Sequence, residues 1–151
     1  MMKRLALLIC LLFPVSMHAE QTQPELLWLV VVNQQSGLTS LSQKQVMSLF
    51  LGRAKFLPTG SRVKTFDHPM DSPMRASFYQ SLTGKDIADI DAYWARLKYS
   101  GRGSPPQALE SPEEIIKKVS EQKSGLSYLP SIYEPVLANN GLVAVLTMRN
   151  P

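Results

Sequence analysis

The stretch from Leu49 to Tyr79, LFLGRAKFLPTGSRVKTFDHPMDSPMRASFY, constrains the fold of this chain more than any other segment. It predicts a helix end, a turn, a strand, and a loop that feeds a second helix. Phe50-Leu51-Gly52 closes the first helix, with Gly52 suited to the left-handed residue that follows a helix. Pro58-Thr59-Gly60 is a turn, and Arg62 to Phe66 alternates like a short strand. Asp71-Ser72-Pro73-Met74-Arg75 then opens a helix, with Ser72 as N-cap and Pro73 at the first helical position. A strand that feeds a helix N-terminus is where α/β proteins hold anions. Free backbone N–H groups point outward there, and the helix dipole favours negative charge.

The rest of the chain alternates in the same way. Leu26 to Val32 is a continuous apolar run rich in β-branched residues, which fits a strand buried on both faces. Ser42-Gln43-Lys44-Gln45 reads as a capping box, and Val46, Leu49 and Phe50 form an apolar stripe behind it. Met74, Phe78 and Leu82 recur at steps of four. Ile87, Ile90, Trp94 and Leu97 follow the spacing of a third helix, with Asp86 as its cap. Tyr99 to Glu110 reads as an irregular loop. Ser111-Pro112-Glu113-Glu114 is a strong helix start. Leu126 to Leu129 and Leu142 to Leu146 read as strands, with a short helical segment between Ser131 and Asn139. Strands alternating with helices imply an α/β fold, a mixed, mostly buried sheet with helices on both faces.

Composition narrows the function classes. Lys3-Arg4, the apolar run Leu5 to Phe13 and Ala19 have the form of a secretory signal peptide over residues 1–19. The run is far short of the ~20 residues a membrane span needs. Residues 20–151 are then one exported, periplasmic domain with no stable membrane span. Without Lys3 and Arg4 the balance is 14 basic to 12 acidic residues, a net +2. So small a charge, without basic runs, argues against nucleic acid as a partner. Cys10 lies in the apolar run, and His68 is the one histidine beyond Ala19, so no metal cluster and no cofactor are expected.

The "FLG" helix end, the "DSPMR" helix start, Phe78-Tyr79, Tyr93-Trp94, Tyr99 to Pro106 and Gly125-Leu126-Ser127-Tyr128 occur in one order. Over roughly residues 29 to 130 this order resembles the second lobe of the phosphate-type substrate-binding proteins of ABC transporters. The resemblance implies one lobe of a periplasmic-binding-protein-like fold. It also implies a phosphate or similar oxyanion as ligand, and an ABC permease, a sensor or a second copy of the chain as partner. Members of that family have two lobes that close on the ligand, and 132 residues suffice for about one.

Five residues are candidates for oxyanion binding. The Ser72 hydroxyl and the N–H groups of Met74 and Arg75 can hold an oxyanion at the helix start, or Ser72 can simply cap its own helix. Arg75 opposes the helix dipole in the first turn, which a bound anion or Asp71 would offset. By the resemblance, His68 stands where the family places a phosphate-binding Arg. Otherwise it is an exposed loop His before a proline. Met70 stands in place of a carboxylate, and Pro73-Met74 in place of Gly-Thr, so binding is expected to be weak. Arg102, between Gly101 and Gly103, is a second anion contact or a solvated arginine in a flexible loop. Tyr93, Trp94 and Tyr99 read as packing residues, and Asp86, Asp89 and Asp91 as capping and dipole compensation.

No nucleophile–base pair is visible, which argues against an enzyme. The expected function is weak oxyanion binding at a helix N-terminus, for transport or sensing. The alternative is an interaction module that keeps the lobe fold, binds no small ligand, and docks on a membrane or a partner protein.

Overall fold

A computed structural model describes residues 25–150. The expected signal peptide, with Cys10, lies outside the described residues. Five strands form one mixed sheet in the order β3-β2-β4-β1-β5. They are β1 (Leu27–Asn33), β2 (Lys64–Asp67), β3 (Gln107–Ala108), β4 (Gly125–Pro130) and β5 (Leu142–Arg149). Strand β1 runs antiparallel to β4 and β5, whereas β2 is parallel to both β3 and β4. The helices are α1 (Gln43–Phe50), α2 (Pro73–Thr83), α3 (Ile87–Tyr99), α4 (Pro112–Glu121) and the short α5 (Glu134–Leu137).

The apolar run of β1 is continuous because each face of the sheet carries its own core. Successive strand residues point to opposite faces. Trp28, Val30 and Val32 pack with Phe50, Phe78 and Ile90 from α1, α2 and α3. Leu29 and Val31 pack with Ile115, Val119 and Leu137 from α4 and α5. The first core is strongly aromatic. The Phe78 and Tyr128 rings stack with centroids 3.4 Å apart, and Trp28 and Phe50 meet Tyr128 edge-on at 5.7 Å. At the end of β1, the Asn33 amide donates to the carbonyls of Val119 and Ser120. It thereby caps the end of α4, where the Val119 carbonyl also accepts from the Gln122 N–H.

The expected helix signals act as expected in α1 and α4. Ser42 and Gln45 form a reciprocal capping box, and Ser111 accepts from the Glu114 N–H. Gly52 is left-handed at φ 66°. Other expectations need correction. The β2 ladder begins at Lys64, because Arg62 is engaged in a bridge with Phe56 across the preceding turn. The segment expected as an irregular loop contains β3, which pairs with β2 at Phe66 and Asp67. Two exposed residues carry no periodicity from which a strand can be read. Strand β5 runs three residues beyond Leu146. Tyr99 is 97% exposed and packs on nothing in the core.

Candidate functional site

Strand β2 ends at Asp67, and the chain turns through His68 to Asp71, with the Ser72 N–H donating to the Pro69 carbonyl. Helix α2 then runs back over the strand end. Ligands of open α/β sheets sit outside the carboxyl ends of parallel strands. A cavity of ≈ 430 Å³ opens at this place, with Asp67, His68 and Arg75 in its lining. Met70, Trp94, Pro105 and Pro106 supply apolar wall.

Asp67 is the centre of the polar network here. Its Oδ1 accepts from the His68 N–H at 2.8 Å and the Tyr128 hydroxyl at 2.5 Å. Its Oδ2 accepts from the Tyr79 hydroxyl at 2.9 Å and Arg75 Nε at 3.1 Å. Burial, then the neighbouring Asp67 charge, pushes both tyrosines well above the ordinary tyrosine range. Both therefore remain neutral donors to the carboxylate.

Arg75 is 4% exposed. The expected pairing with Asp71 gives way to Asp67 and Asp91, because one turn into α2 the side chain lies over the end of β2. Nη1 is 2.8 Å from Asp91 Oδ1, in an orientation that leaves it without a hydrogen bond among the described residues. Burial alone would lower the Arg75 pKa. The Asp67 charge and the Asp91 contact override burial and raise it. Asp91, expected to compensate a helix dipole, is thus an ion-pair partner across two helices.

His68 lies in the loop after β2, as expected, but it is not exposed: it is 1% exposed, with its ring 4.9 Å from that of Tyr128. Nε2 lies 3.3 Å from the Tyr128 carbonyl oxygen, which can only accept, so the neutral ring carries its proton there. Burial lowers the His68 pKa, outweighing the Tyr128 carbonyl and Asp67, which both raise it. A neutral imidazole is the opposite of what the arginine-like role requires.

Ser72 and Met74 are half-buried at the start of α2. Ser72 is extended (φ −69°, ψ 126°), yet its side chain makes no capping bond. His68, Ser72, Met74 and Arg75 thus lie along one strand–helix connection, but only His68 and Arg75 line the cavity there. Arg102 is elsewhere, in the lining of a second cavity with Lys55 and Arg62.

Sequence reasoning missed the roles of Asp67, Tyr79 and Tyr128. Asp67 closes an apolar-alternating strand, and a carboxylate at that place was the available signal. Trp94 was read as packing, which holds, but its Nε1 is also a buried donor with no partner among the described residues. Trp94 and Arg75 thus bring two buried nitrogens without hydrogen bonds to the lining of one cavity.

No family model matches the chain, and no curated protein matches it in sequence. Solved structures do match in fold. One is described as a phosphate ABC transporter substrate-binding protein with bound phosphate, from Clostridium perfringens. It has a TM-score of 0.60 at 11% identity, over 80% of this chain and 45% of that one. An ABC-type phosphate transport receptor from Vibrio cholerae gives 0.57 at 11% identity, over 83% and 56%. PstS from Borrelia burgdorferi gives 0.60 at 12% identity, over 78% and 46%. The chain spans about half the length of these structures. It has an α/β fold with a five-stranded mixed sheet, the fold of one lobe of PstS-like periplasmic binding proteins.

Proposed function

We propose that this chain is an exported solute-binding lobe that holds phosphate or another small oxyanion weakly at the start of α2. The observation that carries this reading is the uncommitted Ser72. Ser42 and Ser111 spend their hydroxyls on their own helices, and Ser72 does not. Its hydroxyl is left free for a ligand, and the N–H groups of Met74 and Arg75, in the first turn, are without helical partners. An oxyanion presents only acceptors to them, and the family likeness in fold supports the same class of ligand. Transfer to a permease or a sensor would be the physiological use of such a lobe.

Binding is weak because neither side chain of the junction that could carry a positive charge to the anion, Arg75 or His68, is available to it. Arg75 faces two carboxylates and His68 is neutral, so the anion is held by neutral hydrogen bonds, each worth about 0.5–1.5 kcal/mol net. Three such bonds give at most about 4.5 kcal/mol, so the expected dissociation constant is on the order of 1 mM or weaker. Calorimetric titration of the protein with phosphate and with sulfate tests this. Ser72→Ala should weaken binding about tenfold. Nanomolar affinity, or affinity indifferent to Ser72→Ala, would overturn it.

One observation favours the interaction-module reading instead. Met70 is 70% exposed and lines a cavity walled by Trp94, Pro105 and Pro106. Apolar surface of this kind suits a protein partner. If neither anion binds at millimolar concentration, that reading replaces the first.

A further inference from the structure

The second cavity, of ≈ 380 Å³, is lined by Lys55, Arg62 and Arg102 together with the hydroxyl residues Thr65 and Ser104. No carboxylate lines it. Among the described residues, none of the three cations lies within salt-bridge distance of an acidic group, although four other ion pairs form. The three come from two places in the chain, and backbone bonds hold each place. The Val63 N–H donates to the Lys55 carbonyl at 3.0 Å, and Arg62 bridges Phe56, which fixes the two sides of one turn. The Arg102 N–H donates to the Leu97 carbonyl at 2.9 Å, which pins it to the end of α3.

Cations near helix C-termini have an ordinary explanation, compensation of the helix dipole. Here both α1 and α3 end at the cavity, through Leu49, Phe50 and Leu97. Each C-terminus is equivalent to about −0.5 charge, so the two together offset roughly one of three positive charges. A surplus of about two remains around a concave, solvent-open site. Like charges brought together without a counter-charge repel, and a dianion is the species that balances them.

We propose that this cavity binds a phosphoryl dianion, the terminal group of a phosphate monoester or a diphosphate, through Lys55, Arg62 and Arg102. The site is separate from the start of α2: Ser72, His68 and Arg75 are absent from its lining, and the inference does not depend on the function proposed above. The group can arrive on a soluble molecule or on a lipid headgroup, since the recognition chemistry is the same.

The test uses the full protein, with inorganic pyrophosphate in calorimetry and vesicles containing phosphatidic acid in co-sedimentation. Pyrophosphate or vesicle binding is expected to fall at least about tenfold in the Arg62→Ala/Arg102→Ala double variant. It should also weaken several-fold between about 50 and 200 mM salt. All three cations are exposed, so the melting temperature of the double variant should match that of the parent. Binding confined to vesicles assigns the phosphoryl group to lipid, and binding confined to pyrophosphate assigns it to a soluble ligand. Each supports the site if the double variant loses it. Ser72→Ala should leave this binding unchanged. Failure of both probes to bind, or binding that survives the double variant, overturns the proposal. So does loss of pyrophosphate binding in Ser72→Ala, which would place the anion at the start of α2 instead.

Discussion

Arg75 Nε lies 3.1 Å from Asp67 Oδ2, and both side chains are 4% exposed. The pair ties the first turn of α2 to the last residue of β2, eight positions earlier. With Tyr79, Tyr128 and the His68 N–H it gives the buried carboxylate four donors. It also removes from solvent the cation that the first turn of α2 would otherwise present to an anion. The same network that orders the junction therefore limits how tightly the junction can bind.

Breaking that pair should be costly. Asp67→Asn leaves a buried guanidinium facing only the half-buried Asp91. Losing one partner of a buried pair typically costs about 3–5 kcal/mol. Urea denaturation should show a loss in that range. A loss below about 1 kcal/mol would mean that the network is not a structural centre.

Stability should fall at both ends of the pH scale, for separate reasons. The folded pKa values of Tyr79 and Tyr128 are raised above 10, so their contribution is full below about pH 10 and is lost as pH rises through the folded values. The folded pKa of His68 is lowered below 6.5. Its contribution is full above about pH 6.5 and is lost as pH falls toward the folded value. Chemical denaturation at a series of pH values should show both limbs. Tyr79→Phe should flatten the alkaline limb, and an alkaline limb as steep in Tyr79→Phe as in the parent would refute the assignment.

Much of this fold was legible, because its signals are local. The run from Leu26 to Val32, the Ser42 capping box and the Ser111-Pro112 helix start each need only neighbours in sequence. Strand β3 was illegible because its pairing with Phe66 and Asp67 is made across about forty residues. The site was harder for the same reason. His68 lies in a Pro-flanked polar stretch that reads as surface, and its partner in the interior, Tyr128, is 60 residues away. Arg75 in a first helical turn should seek Asp71 by sequence distance, and tertiary packing gives it Asp67 and Asp91 instead. The spacing Arg75, Tyr79 on one helix face placed both on Asp67, but nothing in sequence says what lies under that face.

The two left-handed glycines that end α1 and α2 should not be equivalent. Gly52 has φ 66°, and a Cβ there would lie 3.0 Å from Cη2 of the buried Trp94 ring. Gly84 has φ 71° with open space around it. Gly84→Ala should cost only the backbone strain, about 1 kcal/mol. Gly52→Ala should cost distinctly more, by roughly a further 1–3 kcal/mol, because the indole or the helix end must move. Thermal melting of the two variants side by side decides this. Equal losses would show that Trp94 yields without cost.

The most direct check on the function separates the serines. Ser42 closes a capping box, so Ser42→Ala removes a bond that the folded helix uses and should cost about 1 kcal/mol. Ser72 has the same place relative to its helix but makes no capping bond, so Ser72→Ala should change stability by less than about 0.5 kcal/mol. If its hydroxyl serves an anion, the difference should reverse with ligand present. Saturating phosphate should raise the melting temperature of the parent and of Ser42→Ala by the same amount, and that of Ser72→Ala by less. Measuring all three proteins with and without phosphate separates a cap from a ligand group. A Ser72→Ala loss as large as that of Ser42→Ala, with an undiminished phosphate shift, would make Ser72 an ordinary cap. The oxyanion reading of the α2 start would then have no side chain left to rest on, since His68 is neutral and Arg75 is already paired.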